Sequence, residues 1–371
     1  MDNFKRTNSC QQKLQHQQKV RRQQQKERRE QEKQMVYDLQ QYTEIFWNMR
    51  TPKQQFYAAH TFCNLLTSTK SPSIKELIAS GVISMLVWCS SQTNCPRLKL
   101  QLLNVLYTTS TLSEEHRILI RQVGGTQELV TCLLHYKEVA ICELTLRTID
   151  SVAKNNSREY DLICGHDGIS PLLAMMIQPE IVLRKQALTI VQNLSSGSQY
   201  RVNLLFEHNI IAFIKLLLAE MNDDAEVVVQ TLILSCHIIQ EGNRCQKQKI
   251  IEADFLQLLI DVLRNENTHI RRVAADTIYE LLIEADPNIE FSRGNIQQIL
   301  SLLCDYLCTE ELWILQIIYD LLIFLKKCTA NELIYSFNSS DCIRKIKEIT
   351  TNSNKLLSVL AVDIVKFCHS N

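Results

Sequence analysis

The chain has 371 residues, 46% hydrophobic and 22% charged, with only 8 Gly and 6 Pro, the composition of a folded soluble protein. Few alternating β-branched runs occur, which sets an all-β fold aside and favours an all-α one. The formal charge is zero but unevenly placed: residues 1–35 hold ten Lys/Arg against four Asp/Glu, leaving the remainder with 30 against 36.

Residues 1–35 form a Gln-, Lys- and Arg-rich arm with good helix formers and no Pro or Gly. Its apolar residues are too sparse to make a buried face, so it is expected to be a marginal helix or a disordered tail that orders on an acidic partner. Plain solvation without a partner stays open, as does phosphate neutralisation on a nucleic acid. Against the last, no aromatic residue is interleaved for base stacking, and Glu27, Glu30 and Glu32 dilute the charge. From Met35 the composition turns amphipathic through Val36, Leu39, Tyr42, Ile45, Phe46 and Trp47, which predicts a capping helix over 36–51. Pro52 then opens the first long helix.

The stretch from Phe56 to Val87 sets a pattern for residues 52–371. A helix carrying Phe56, Ala59, Phe62, Cys63 and Leu66 is followed by a polar break, a second helix led by Ile74, Leu77 and Ile78, and a turn at Gly81. Equivalent turn residues are Gly125, Gly168, Asn209, Asp254, Asn295 and Asp341, at spacings of 44, 43, 41, 45, 41 and 46. Gly, Asn and Asp are the residues that most readily take a left-handed backbone. An apolar run follows each of the first six, from VISMLV through IQQILSLL. Such a period belongs to two- or three-helix solenoid repeats, in which each unit buries its apolar face only by stacking on a neighbour. Leu258, in the run after Asp254, is accordingly expected to be buried between repeats.

The long helix of each repeat carries a second ladder: Asn64, Tyr107, Asp150, Asn193, Cys236 or His237, Glu280, Asp320 and Asp363. One turn earlier, on the same helix face, stand His60, Leu103, Leu146, Thr189, Leu232 or Ile233, Asp276, Gln316 and Val359. Stacking would line these up as the wall of a groove. Acid at Asp150, Asp276, Glu280, Asp320 and Asp363 would attract basic peptides, or would simply form a solvated polar face.

The segments Ala59–Ser68 (AHTFCNLLTS) and Ala187–Gly197 (ALTIVQNLSSG) resemble the third helix of an armadillo repeat, and more narrowly that of the importin-α family. The order of basic arm then repeats is the same, and the Arg/Glu/Gln-rich arm is similar to that of a divergent importin-α-like branch. The resemblance implies an all-α, right-handed armadillo-repeat superhelical solenoid of about seven to eight repeats. It further implies a nuclear transport adaptor of cytoplasm and nucleus, a monomer without cofactor. The arm, through Lys13, Lys19, Arg21, Arg22, Lys26, Arg28 and Arg29, would bind an importin-β-like receptor. A groove of His60, Asn64, Tyr107, Asp150, Asn193, His237, Asp276, Glu280 and Asp320 would hold a basic nuclear localisation signal. The departures are as clear: the family's Asn stands only at Asn64 and Asn193, and its Trp is replaced throughout, by His60, Leu103, Leu146, Thr189 and Asp276 among others. The alternative is an armadillo protein-interaction scaffold without transport activity.

No phosphate-binding Gly loop, H-E-x-x-H or G-x-S-x-G motif occurs, so an enzyme is not expected. His166–Asp167–Gly168 falls on an inter-repeat turn and reads as turn chemistry. The 14 Cys lie mostly on apolar faces without a C-x-x-C pair, and Cys304 with Cys308 lacks further metal ligands nearby. Free thiols in a reducing compartment, with no metal site, are expected. The longest apolar run, residues 312–325, is broken by Gln316 and Asp320 and is too short to span a bilayer.

Overall fold

The computed structural model describes residues 2–48, 51–68, 71–219, 224–284, 293–309, 312–327, 331–338, 340–351 and 354–369, and among them there is no strand. Two helices come first, α1 (Asp2–Asn48) and α2 (Pro52–Leu66). Sets of three follow: α3 (Ile74–Ser80), α4 (Val82–Gln92) and α5 (Pro96–Leu112), then α6 (Glu114–Gln122), α7 (Gly125–His135) and α8 (Val139–Ala153). The next are α9 (Ser157–Gly165), α10 (Ile169–Met176) and α11 (Ile181–Ser195), then α12 (Gln199–Glu207), α13 (Ile210–Ala219) and α14 (Ala225–Glu241). After α15 (Arg244–Glu252), α16 (Phe255–Leu263) and α17 (Thr268–Glu284) come α18 (Arg293–Asp305), a single 3-10 turn and α19 (Leu312–Lys327). The last set is α20 (Asn331–Asn338), α21 (Asp341–Ile349) and α22 (Lys355–His369). Mostly short helices followed by a long third one make this an all-α solenoid of the armadillo type.

Local chemistry sets the helix starts. Thr51 caps α2 by accepting from the Gln54 amide, and Pro52 at the first helical position has no N–H to leave unpaired. Ser73 with Glu76 and Asn243 with Gln246 close reciprocal capping boxes on α3 and α15. At the joint between first and second helices, Gly81 (φ 67), Asn209 (φ 57) and Asp254 (φ 56) take the left-handed conformation, as their types suggest. Across Gly81 the chain bends by 59°, and across the joint of α12 and α13 by 75°. Two joints fall one residue earlier than expected. Gly124 (φ 82) and Asp167 (φ 59) carry the positive φ, while Gly125 and Gly168 have entered the next helix or its cap. Gly125 has a different reason to be small, since a Cβ there would collide with Ile120 Cγ2 and lie 2.8 Å from the Ile120 carbonyl oxygen. Asn295 and Asp341 are not left-handed joints; both stand in the first turn of a helix, α18 and α21.

The chain divides into two compact units, Met1–His166 and Asp167–Asn371. In the first, α2, α5 and α8 pack side by side, with α4 and α7 behind them. Leu102, Leu103, Leu106 and Leu146 are fully buried along this row. The arm and cap expected as separate segments share one helix, α1, with no break at residue 35. The change in composition shows as burial instead. Residues 20–34 are exposed, whereas Leu39 and Phe46 are buried where α1 meets α2, α3 and α4.

In the second unit α11, α14, α17, α19 and α22 form the row, with α10, α13, α16 and α21 packed against it. Phe255, Leu256, Leu259, Ile260, Val262 and Leu263 of α16 are buried, but Leu258 is only half-buried. The expected core position is thus one residue out: Leu259, at 0% exposure, fills it. Cys304 and Cys342 are disulfide-bonded, joining α18 to α21 across Cα atoms 5.4 Å apart. This corrects the expectation of free thiols throughout. The period of the repeats brings together cysteines 38 positions apart, which no local spacing reveals.

Candidate functional site

In the first unit the row face is built from α2, α5 and α8. His60 and Asn64 are exposed on α2, and the His60 ring stacks parallel to Phe56 with centroids 6.4 Å apart. Tyr107 and Asp150 are half-buried on α5 and α8. The Arg147 guanidinium lies over the Tyr107 ring, 4.8 Å from its centroid, and Nη2 donates to Tyr107 Oη at 3.1 Å. Burial pushes the Asp150 carboxyl above the usual carboxylate range, against the opposing pull of Lys154. Hydroxyls link the neighbouring helices, with Ser110 Oγ donating to Ser151 Oγ at 2.8 Å.

Beside this ladder lies a cavity of about 400 Å³ whose lining includes Phe56, Arg97, Gln101, Asn104, Glu143 and Arg147. None of these is on the predicted site. They stand three to ten residues before Tyr107 and Asp150 on their helices, or on the adjoining α2. The signal that would find them is a second helical register beside the ladder: 97, 101 and 104 on α5, 143 and 147 on α8.

In the second unit Asn193 is exposed on α11. Its neighbour Gln192 reaches across to α14, donating from Nε2 to the Gln230 carbonyl at 2.5 Å. His237 is half-buried and turned back towards α11, its Nδ1 lying 3.4 Å from both Ser195 Oγ and the Gln192 carbonyl. It joins helices rather than standing clear on the face.

Further along, the structure brings together three of the predicted carboxylates. Asp276 and Glu280 sit one turn apart on α17, and Asp320 lies on the adjoining α19, where Gln316 Nε2 donates to it at 3.0 Å. Their mutual influence is legible in their neighbours. Burial first, then the charges of Asp320 and Glu280, raises the Tyr279 phenol. Cys236 of α14, 3.1 Å from Thr277 Oγ1, is pushed up to about 11 by burial, with Glu280 and Asp276 adding to it. Asp276 itself is raised by the packing around it and by Glu280, with Arg272 opposing. A patch of negative charge with aromatic and thiol neighbours can attract cations, and a cation would relieve its internal repulsion.

On α1, Arg21, Arg22, Lys26, Arg28 and Arg29 are exposed; the side chains of Lys13 and Lys19 lie outside those described. Among the described residues no group of three or more His, Cys, Asp or Glu could hold a metal ion. Nor is any single described helix long and apolar enough to cross a membrane.

No protein-family model matches the chain, and no curated protein matches it. Solved structures do. A computationally designed armadillo repeat protein for modular peptide recognition superposes with a TM-score of 0.56 at 19% identity, covering 67% of this chain and 100% of its own. A designed armadillo repeat protein in complex with the peptide (KR)4 gives 0.55 at 19% identity, covering 66% and 99%. An engineered protein covers 90% of this chain and 99% of its own, with a TM-score of 0.57 at 14% identity. At these identities the likeness carries the armadillo-type fold and nothing finer.

Proposed function

We propose that this chain is an armadillo-type protein-interaction scaffold that takes Lys/Arg-containing peptides on the α17–α19 face of its second unit. The observation that carries this reading is the convergence of Asp276, Glu280 and Asp320 on adjoining helices. Support comes also from the designed armadillo neighbour whose partner is the alternating basic peptide (KR)4. Carboxylates on a half-buried helix face hold a cationic side chain by charge-assisted hydrogen bonds, which weaken as salt screens them.

The test is a fluorescence anisotropy titration of labelled (KR)4 onto the full chain. Binding that falls with salt, and that weakens at least tenfold in the double variant Glu280→Gln/Asp320→Asn, is expected. Equal affinity in that variant, or no binding at low salt, overturns the reading.

Transport work is the second reading, and the arm favours it. Arg21, Arg22, Lys26, Arg28 and Arg29 stand exposed on a helix, as a segment offered to an acidic receptor of the importin-β kind would. Capture by importin-β that is lost on replacing Arg21, Arg22, Arg28 and Arg29 with Glu supports the adaptor. Capture indifferent to that change leaves the scaffold alone.

A further inference from the structure

The cavity of the first unit has the opposite chemistry. Arg97, Gln101 and Asn104 recur at spacings of four and three along α5, and Glu143 and Arg147 are four apart on the adjoining α8. Each set makes one stripe on its helix. Phe56, Leu100 and Leu144 supply apolar walls, and about 400 Å³ is room for a side chain and the backbone either side of it.

Two arginines face one carboxylate in this lining, and the amides of Gln101 and Asn104 beside them offer N–H groups that lack a strong acceptor. Arg97 is exposed and makes no ion pair among the described residues. Gln101 Nε2 is buried with no hydrogen-bond partner, a cost that native proteins rarely leave without a use. Asn104 Nδ2 has only the Cys63 sulfur at 3.6 Å, a weak acceptor. Arg147 is held in place by the Tyr107 ring and hydroxyl, so its planar fork is oriented in advance. The single acid, Glu143, lies 3.8 Å from Arg147 Nη1 and leaves the positive charge in excess.

From this arrangement we infer that the α5–α8 face of the first unit is a binding site for an extended protein segment bearing an Asp or Glu side chain. The carboxylate accepts from Arg97 and Gln101, with Arg147 at the side. A guanidinium offers a carboxylate two parallel hydrogen bonds, and an unpartnered amide completes the set without displacing an existing bond. A Lys or Arg side chain is opposed here by the charges of Arg97 and Arg147, with Glu143, beside Arg147, as the one carboxylate of the lining. The site is independent of the acidic patch on α17 and α19, in charge and in the residues that build it.

The experiment uses the full chain and two fluorescein-labelled octapeptides, one alternating Glu and Ala, the other Lys and Ala, in about 50 mM salt. Saturable binding of the Glu peptide is expected, at least tenfold weaker in Arg97→Glu and severalfold weaker in Gln101→Leu. Glu280→Gln/Asp320→Asn should leave it unchanged while weakening the Lys peptide. Arg97 is exposed, so its variants should melt as the parent does; Arg97→Gln, which removes charge without reversing it, gives the same comparison if Arg97→Glu fails to fold. Absence of saturation up to about 1 mM Glu peptide, or an unchanged Kd in both Arg97 variants, overturns the assignment. So does a loss in the Glu280→Gln/Asp320→Asn chain equal to that in Arg97→Glu, since the peptide would then be reporting the other face.

Discussion

Lys99 on α5 and Glu128 on α7 form an ion pair whose side chains are 3% and 5% exposed. Lys99 Nζ lies 2.6 Å from Glu128 Oε1 and donates to the Ser90 carbonyl at 2.6 Å, with the Tyr136 ring centroid 5.0 Å away. Glu128 Oε1 also accepts from Ser90 Oγ at 3.0 Å and from the Cys132 thiol at 3.4 Å. Replacing Lys99 with Met keeps the stem's volume and removes the ammonium. The carboxylate is then buried with only a hydroxyl and a thiol, which cannot balance its charge. Breaking a buried pair in this way costs about 3–5 kcal/mol. Removing both charges, as Lys99→Met/Glu128→Leu, abolishes the desolvation cost along with the attraction and should return to within about 1 kcal/mol of the parent.

Urea unfolding followed by far-ultraviolet circular dichroism gives the four corners of the double-mutant cycle. A single variant that loses less than about 1 kcal/mol, or a double variant as damaged as the single, would refute this account of the pair.

Two further outcomes follow from burial. Leu259→Ala should cost about 2–5 kcal/mol in urea unfolding, and half-buried Leu258→Ala visibly less; equal losses would mean that the face of α16 is misassigned. Asp150 has its pKa raised by burial, so its favourable contribution is complete below the unfolded value, about 4, and is lost as pH rises through the folded one. Asp150→Asn should therefore raise Tm at pH 7, by an amount that vanishes towards pH 4; a lower Tm at pH 7 would show that the charge is compensated.

Period and residue type made much of this fold legible. Apolar residues three and four apart marked the helices, and Gly81, Asn209 and Asp254 bend the chain where their left-handed tolerance suggests. Two joints were displaced by one residue: Gly124 and Gly125 tolerate positive φ equally by type, whereas Asp167 takes it although Gly168 is by type the readier residue. Asp276, Glu280 and Asp320 were visible as a ladder, since one turn on a helix and one repeat along the chain are both readable spacings. His237 was visible too, but not that it turns back onto α11. The donors around Arg97 and Gln101 escaped notice. A reading keyed to one register does not see the adjacent one, and an unpartnered buried amide exists only once neighbouring helices have packed.

α1 offers a last consequence. Its grip on the body starts at Leu39, while Arg21 lies 18 residues earlier on the same uninterrupted helix. At 1.5 Å per residue the exposed basic side chains from Lys33 out to Arg21 run from about 9 to about 27 Å along the helix. A guest that clasps the outer part of that helix, around Arg21 and Arg22, is held away from Leu39, so clasping it need not crowd out whatever rests on α5 and α8. Shortening the helix by whole turns would keep its charges on the same side while drawing the guest inwards, turning two tenants into competitors.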